Sequence, residues 1–94
     1  MEEKAKKIAE LLRLLANEHR LLILCALRKG PLTVGELRRF TPHISASALS
    51  QHLNQLRTAG ILDSEKQGMN VIYRIRDQRV TALLEAVKEC YCEE

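Results

Sequence analysis

Ile44-Ser45-Ala46-Ser47-Ala48-Leu49-Ser50-Gln51-His52-Leu53-Asn54-Gln55-Leu56-Arg57-Thr58-Ala59-Gly60-Ile61 is the stretch whose reading decides the fold. Ser45 is a good N-cap, because its short side chain can accept a hydrogen bond from an unpaired first-turn N–H. Leu49, Leu53 and Leu56 recur at helical spacing, and Gly60 can take the left-handed conformation that stops a helix. The segment therefore predicts one amphipathic helix with both ends marked. Its other face carries Ser47, Ser50, Gln51 and Asn54, short side chains that both donate and accept hydrogen bonds. A helix presenting such a face can sit in the major groove of DNA. Taken alone, the segment is equally compatible with an ordinary surface helix.

Upstream, Thr33-Val34-Gly35-Glu36 has the capping-box form and opens a short helix through Leu37 to Phe40. Thr41-Pro42-His43 breaks it. A short helix, a tight break and the capped helix from Ser45 make a helix-turn-helix layout. Downstream, Ile61 to Lys66 and Val71 to Ile75 predict two strands. Gln67-Gly68-Met69-Asn70 joins them as a hairpin, a wing beside the helix pair.

Further out, Ile8, Leu11, Leu12 and Leu15 give a first helix over residues 3–15 an apolar side. Asn17 restarts the chain as a second helix, whose run Leu21-Leu22-Ile23-Leu24-Cys25-Ala26-Leu27 predicts a buried central element ending at Gly30-Pro31. Asp77 caps a last helix with an apolar stripe of Val80, Leu83, Leu84, Val87 and Tyr91. So short a chain has little left to cover two terminal stripes. The first and last helices are therefore expected to form a twofold homodimer interface, which would place two reading helices on a pseudo-palindromic site. The other reading is that both helices only cover their own core.

Composition agrees with one mainly α domain over residues 1–94, with a small β-hairpin (α+β in the broad sense). Among 94 residues aromatics make up 3% and the core must be aliphatic. No run of about 18 apolar residues exists and the amino terminus opens directly into a helical pattern. A cytoplasmic protein without membrane contact is thus expected, and three cysteines without framework spacing suit a reducing compartment. The net charge of +3 is unevenly placed. Residues 37–76 carry Arg38, Arg39, Arg57, Lys66, Arg74 and Arg76 against Asp63 and Glu65, whereas residues 77–94 carry five acids against Arg79 and Lys88. A basic middle draws a protein towards polyanions. No nucleophile with a positioned base, phosphate loop or paired acids is present, so neither catalysis, a small-molecule substrate nor a cofactor is expected.

With these elements in order, the chain resembles the ArsR/SmtB family of winged-helix repressors over nearly its whole length. The likeness is carried by residues 15–24 (Leu-Ala-Asn-Glu-His-Arg-Leu-Leu-Ile-Leu), 32–37 (Leu-Thr-Val-Gly-Glu-Leu), 47–53 (Ser-Ala-Leu-Ser-Gln-His-Leu), 59–62 (Ala-Gly-Ile-Leu) and 71–75 (Val-Ile-Tyr-Arg-Ile). The resemblance implies a homodimeric transcriptional regulator that binds double-stranded operator DNA, as repressor or anti-repressor. It implies groove contacts from Ser47, Ser50 and Gln51, with Asn54 and Arg38 in the same DNA-binding set, and backbone contacts from Lys66 and Gln67 of the wing. Similar proteins carry a histidine at the position of His52 that packs or touches phosphate.

Many relatives sense metals through a Cys-x-Cys pair at the start of the third helix or through Asp-x-His and His-x-x-Glu pairs on the last. Here Thr33 and Gly35 stand at the first place and Asp77-Gln78-Arg79 at the second, so neither metal site is present in the family's form. The chain is more similar to the non-metal branch, which includes the haemolysin regulator and the sulfide and persulfide sensors. That branch has one cysteine in the second helix and one after an aromatic at the end of the last. The matching residues are Cys25 and Cys92, with Cys90 as an extra thiol. Redox or sulfur sensing and plain packing cysteines both remain as readings. A winged-helix protein-interaction module, or a metal-responsive repressor with a nonstandard site, are the alternatives.

Overall fold

The computed structural model describes residues 1–91, the last three as backbone only. In chain order the elements are α1 (Glu2–Leu15), α2 (Glu18–Leu27), β1 (Leu32–Thr33), α3 (Val34–Phe40), α4 (Ala46–Thr58), β2 (Leu62–Gln67), β3 (Asn70–Ile75) and α5 (Gln78–Tyr91).

Local chemistry sets most boundaries. Asn17 Oδ1 accepts from the backbone N–H groups of His19 (2.9 Å) and Arg20 (3.2 Å), starting α2. At α3 the capping box is complete: Thr33 Oγ1 accepts from Glu36 N–H (3.1 Å) and Glu36 Oε1 from Thr33 N–H (2.8 Å). Buried Thr41 closes that helix by donating its hydroxyl to the Leu37 carbonyl at 3.2 Å. Ser45 Oγ accepts from Ala48 N–H at 3.0 Å to open α4. At the far end Gly60, with φ +83°, donates to the Arg57 carbonyl, and Ile61 donates to Leu56, both at 3.0 Å. This is the Schellman stop, with Ile61 packed in the core beside Leu56.

The sheet has three antiparallel strands in the order β1-β3-β2. The register runs from Leu62↔Ile75 to Gln67↔Asn70, leaving Gly68-Met69 as the loop, with Gly68 at φ +61°. The two-residue β1, paired Leu32↔Tyr73 and Thr33↔Ile72, is an addition to the expected hairpin. It anchors β3 to the start of α3.

One aliphatic core joins Leu15, Ile23, Leu24, Leu27, Leu37, Leu49, Leu53, Leu56, Ile61, Leu62, Val80 and Leu84. Two expectations change here. The second helix is not buried all round: Ile23, Leu24 and Leu27 are in the core, while Leu21, Leu22 and Cys25 are exposed. A continuous apolar run on a helix necessarily covers every face, and this chain alone fills only one of them. The stripe on α5 is also split. Val80 and Leu84 belong to the monomer core and Leu83 packs against it, whereas Val87 is 44% exposed. On α1, Ile8 (51%) and Leu12 (47%) are likewise open. The Tyr91 and Cys90 side chains and all of Cys92 lie outside the described residues.

Candidate nucleic-acid interface

Burying Leu49, Leu53 and Leu56 fixes the rotation of α4 about its axis. Ser47, Ser50, Gln51 and Asn54 consequently all face outward and are exposed. Their spacing of three, four and seven residues places them in one stripe. Arg57 extends that stripe by donating Nη2 to Asn54 Oδ1 at 2.7 Å. The stripe thus ends in a tethered guanidinium, the group suited to phosphate or to a guanine edge. Sequence reasoning counted Arg57 in the basic tally without assigning it to the site, although its i+3 relation to Asn54 was available.

Arg38 is exposed near the end of α3, and Lys66 and Gln67 are exposed at the tip of the hairpin. The three lie on separate elements from the stripe. Arg74 Nη2 sits 2.7 Å from Glu65 Oε1 across the β2–β3 pair. That exposed pair adds little stability, but it neutralises one of the middle region's cations.

The structure adds a cluster behind the stripe. Arg20, on α2, donates Nε to His52 Nδ1 at 3.0 Å and Nη1 to the Leu14 carbonyl at 3.0 Å, and its Nη2 bonds Gln55 Oε1. His52 is half-buried, with its ring 6.1 Å from that of His19. Burial first, then the charges of Arg20 and His19, hold its imidazole below the usual histidine range. One ring nitrogen is committed to Arg20 by a part-buried hydrogen bond. Nothing in the spacing of these residues foretold it.

Cys25 lines a shallow cavity of about 230 Å³ with Leu22, Ala26, Arg28, Lys29 and Phe40. Among the described residues, no three His, Cys, Asp or Glu side chains gather as a metal-binding group. No helix of the described chain is long and apolar enough to cross a membrane.

Comparison with known proteins places this geometry. Residues 17–64 match the family described as bacterial regulatory protein, arsR family. The HTH-type transcriptional regulator YgaV of Escherichia coli is 40% identical over 98% of this chain and 93% of its own length. The transcriptional activator HlyU of Vibrio cholerae is 41% identical over 99% of this chain and 85% of its own. A structure of reduced HlyU superposes with a TM-score of 0.91, covering 99% of this chain and 97% of that one. The transcriptional repressor BigR of Xylella fastidiosa superposes with a TM-score of 0.90 at 32% identity, covering 100% and 95%.

Proposed function

This chain belongs to the arsR family of bacterial regulatory proteins, and from that premise we propose that it acts as a homodimer that reads a pseudo-palindromic operator with α4 and is switched by thiol chemistry. The family membership itself makes it a DNA-binding transcriptional regulator of winged-helix fold. The observation that carries the finer reading is the exposed stripe of Ser47, Ser50, Gln51 and Asn54, held outward by the buried leucines behind it. These side chains reach base edges, while Arg38, Lys66 and Gln67 take the DNA backbone.

Exposed Ile8 and Leu12 on α1 and Val87 on α5 support dimerisation through the terminal helices. Twofold symmetry then presents two copies of α4 to successive half-sites. The setting is the bacterial cytoplasm, where thiols are kept reduced and a thiol switch has a defined resting state.

For the switch, the supporting observation is that Cys25 is exposed rather than sealed in the apolar run of α2. Oxidation of the Cys25 and Cys92 thiols to a disulfide by a two-electron oxidant such as a peroxide, or sulfur transfer from two equivalents of a persulfide donor to give a trisulfide with release of hydrogen sulfide, would bind the end of the chain to α2 and bias the DNA-binding equilibrium. Cys90 is the neighbouring thiol that could substitute. The test is the affinity of the reduced protein for its own upstream DNA, repeated after treatment with a persulfide donor, with both states checked by intact mass. Loss of binding with a Cys25–Cys92 crosslink supports the switch; unchanged affinity despite thiol modification leaves a regulator whose cysteines serve packing.

A further inference from the structure

Arg20 makes side-chain hydrogen bonds to three partners on two other helices. Its Nη1 meets the Leu14 carbonyl, one of the terminal carbonyls of α1 that have no partner within their own helix. A cation there also suits the negative end of the helix dipole. From the same guanidinium, Nε reaches His52 Nδ1 and Nη2 reaches Gln55 Oε1, both on α4. One planar fork thus ties the end of α1 and the start of α2 to the middle of the helix that carries the DNA-reading stripe. His52 and Gln55 alternate with Gln51 and Asn54 along α4, so the clamp grips the helix directly beside its exposed stripe.

A guanidinium only donates, so the Arg20–His52 bond requires an unprotonated Nδ1. We propose that Arg20 is a positioning residue for DNA recognition: it clamps α4 to the α1–α2 junction through His52 and Gln55, and the clamp holds only while the His52 imidazole is neutral. The proposal rests on the reading of α4 as the groove-facing helix. The titratable groups acting on His52 are Arg20 and His19, both on α2, while α1 contributes the Leu14 carbonyl to Arg20. Among the described residues no carboxylate acts on His52, and both neighbours favour the neutral ring. Protonation places two cations and two donors against each other and removes the acceptor. The clamp then opens from the α4 side: the buried leucines still set the rotation of α4, but its tie to the α1–α2 junction is lost.

The experiment uses a duplex selected by the wild-type protein from a randomised pool, and a shuffled duplex of the same composition. Arg20→Lys keeps the charge but cannot form the fork. It is expected to lower the preference for the selected duplex by about tenfold or more while its affinity for the shuffled duplex stays unchanged. In the wild type, acidification from about pH 7.5 to about pH 5, well below the usual histidine range, is expected to erode the same preference. In His52→Asn it is not, because Asn Oδ1 can stand in for Nδ1 and does not titrate. The two proteins differ at position 52 alone, so a difference between their pH profiles reports that site. Full preference in Arg20→Lys, or identical pH profiles for wild type and His52→Asn, overturns the clamp. If the lysine variant fails to fold, the His52→Asn comparison still decides. If the wild type enriches no sequence, the groove-facing reading of α4 fails and the clamp falls with it. Enrichment with a failed clamp removes the clamp alone.

Discussion

Asn54 Oδ1 accepts from Arg57 Nη2 at 2.7 Å on the exposed side of α4. The pair joins a side chain able to read a base to a cation able to hold a phosphate, and the two roles separate on mutation. Arg57→Ala is expected to weaken binding alike for operator and random duplex, and to reduce the slope of log affinity against log salt by about 1. Asn54→Ala frees the guanidinium without removing it, so the salt slope should hold while discrimination falls. Anisotropy titrations over a salt series distinguish the two; equal slopes for wild type and Arg57→Ala would show that Arg57 touches no phosphate.

Gln51 and Leu53 are two residues apart on opposite sides of α4, one exposed and the other 1% exposed. Gln51→Ala should leave the melting temperature unchanged and reduce the preference for operator over random DNA. Leu53→Ala removes a core side chain that joins the helix to the rest of the molecule, at a typical cost of about 2–5 kcal/mol. For a chain of this size that is a large share of the total stability. Thermal and urea unfolding of the two variants give the comparison, and a destabilised Gln51→Ala would contradict the assigned rotation of the helix.

The two ends of α4 can be weakened independently. Ser45→Ala removes the acceptor for Ala48 N–H, a loss of about 1 kcal/mol. Gly60→Ala meets no steric obstacle, since a Cβ there would find nothing within 4 Å. The positive φ remains, and strain of about 1 kcal/mol is expected. The sites are 15 residues apart and share no partner, so the double variant should lose close to the sum of the single losses. A much smaller combined loss in urea unfolding would mean that α4 frays as one unit.

Much of the fold was legible because its boundaries are local. Asn17, Thr33 with Glu36, Ser45, Gly60 and Gly68 each act within a few residues of themselves, and each ends or begins an element as its chemistry demands. The stripe on α4 was legible for the same reason: three leucines fix the phase, and the exposed residues follow. Arg20 was not legible, because its partners on α4 lie 32 and 35 residues away and are chosen by how the helices cross. β1 escaped because two residues carry no periodicity. The run from Leu21 to Leu27 misled because hydrophobicity alone does not say which faces find a neighbour within one chain.

Asp77 offers a test of charge at the start of α5. Its carboxylate accepts from Arg79 Nε at 3.0 Å, from Nη2 at 2.6 Å and from the Arg79 backbone N–H at 3.0 Å. The side-chain hydrogen bond to Arg79 is the main reason its carboxyl is held below the usual range, aided by the backbone bond and the Arg79 charge and opposed by burial. A carboxyl lowered on folding stabilises the fold above its unfolded value and loses that contribution as pH falls through the folded one. Asp77→Asn preserves a good capping side chain while deleting the charge. The variant should therefore be slightly less stable than wild type at neutral pH, the effect being small because the Arg79 side of the ion pair is exposed. Urea unfolding at neutral pH and at about pH 3 should show the gap narrowing in acid, once the pH falls below the unfolded carboxyl's value and approaches the lower folded one. A gap of the same size at both would mean that the charge contributes nothing and that the loss lies in the cap geometry alone.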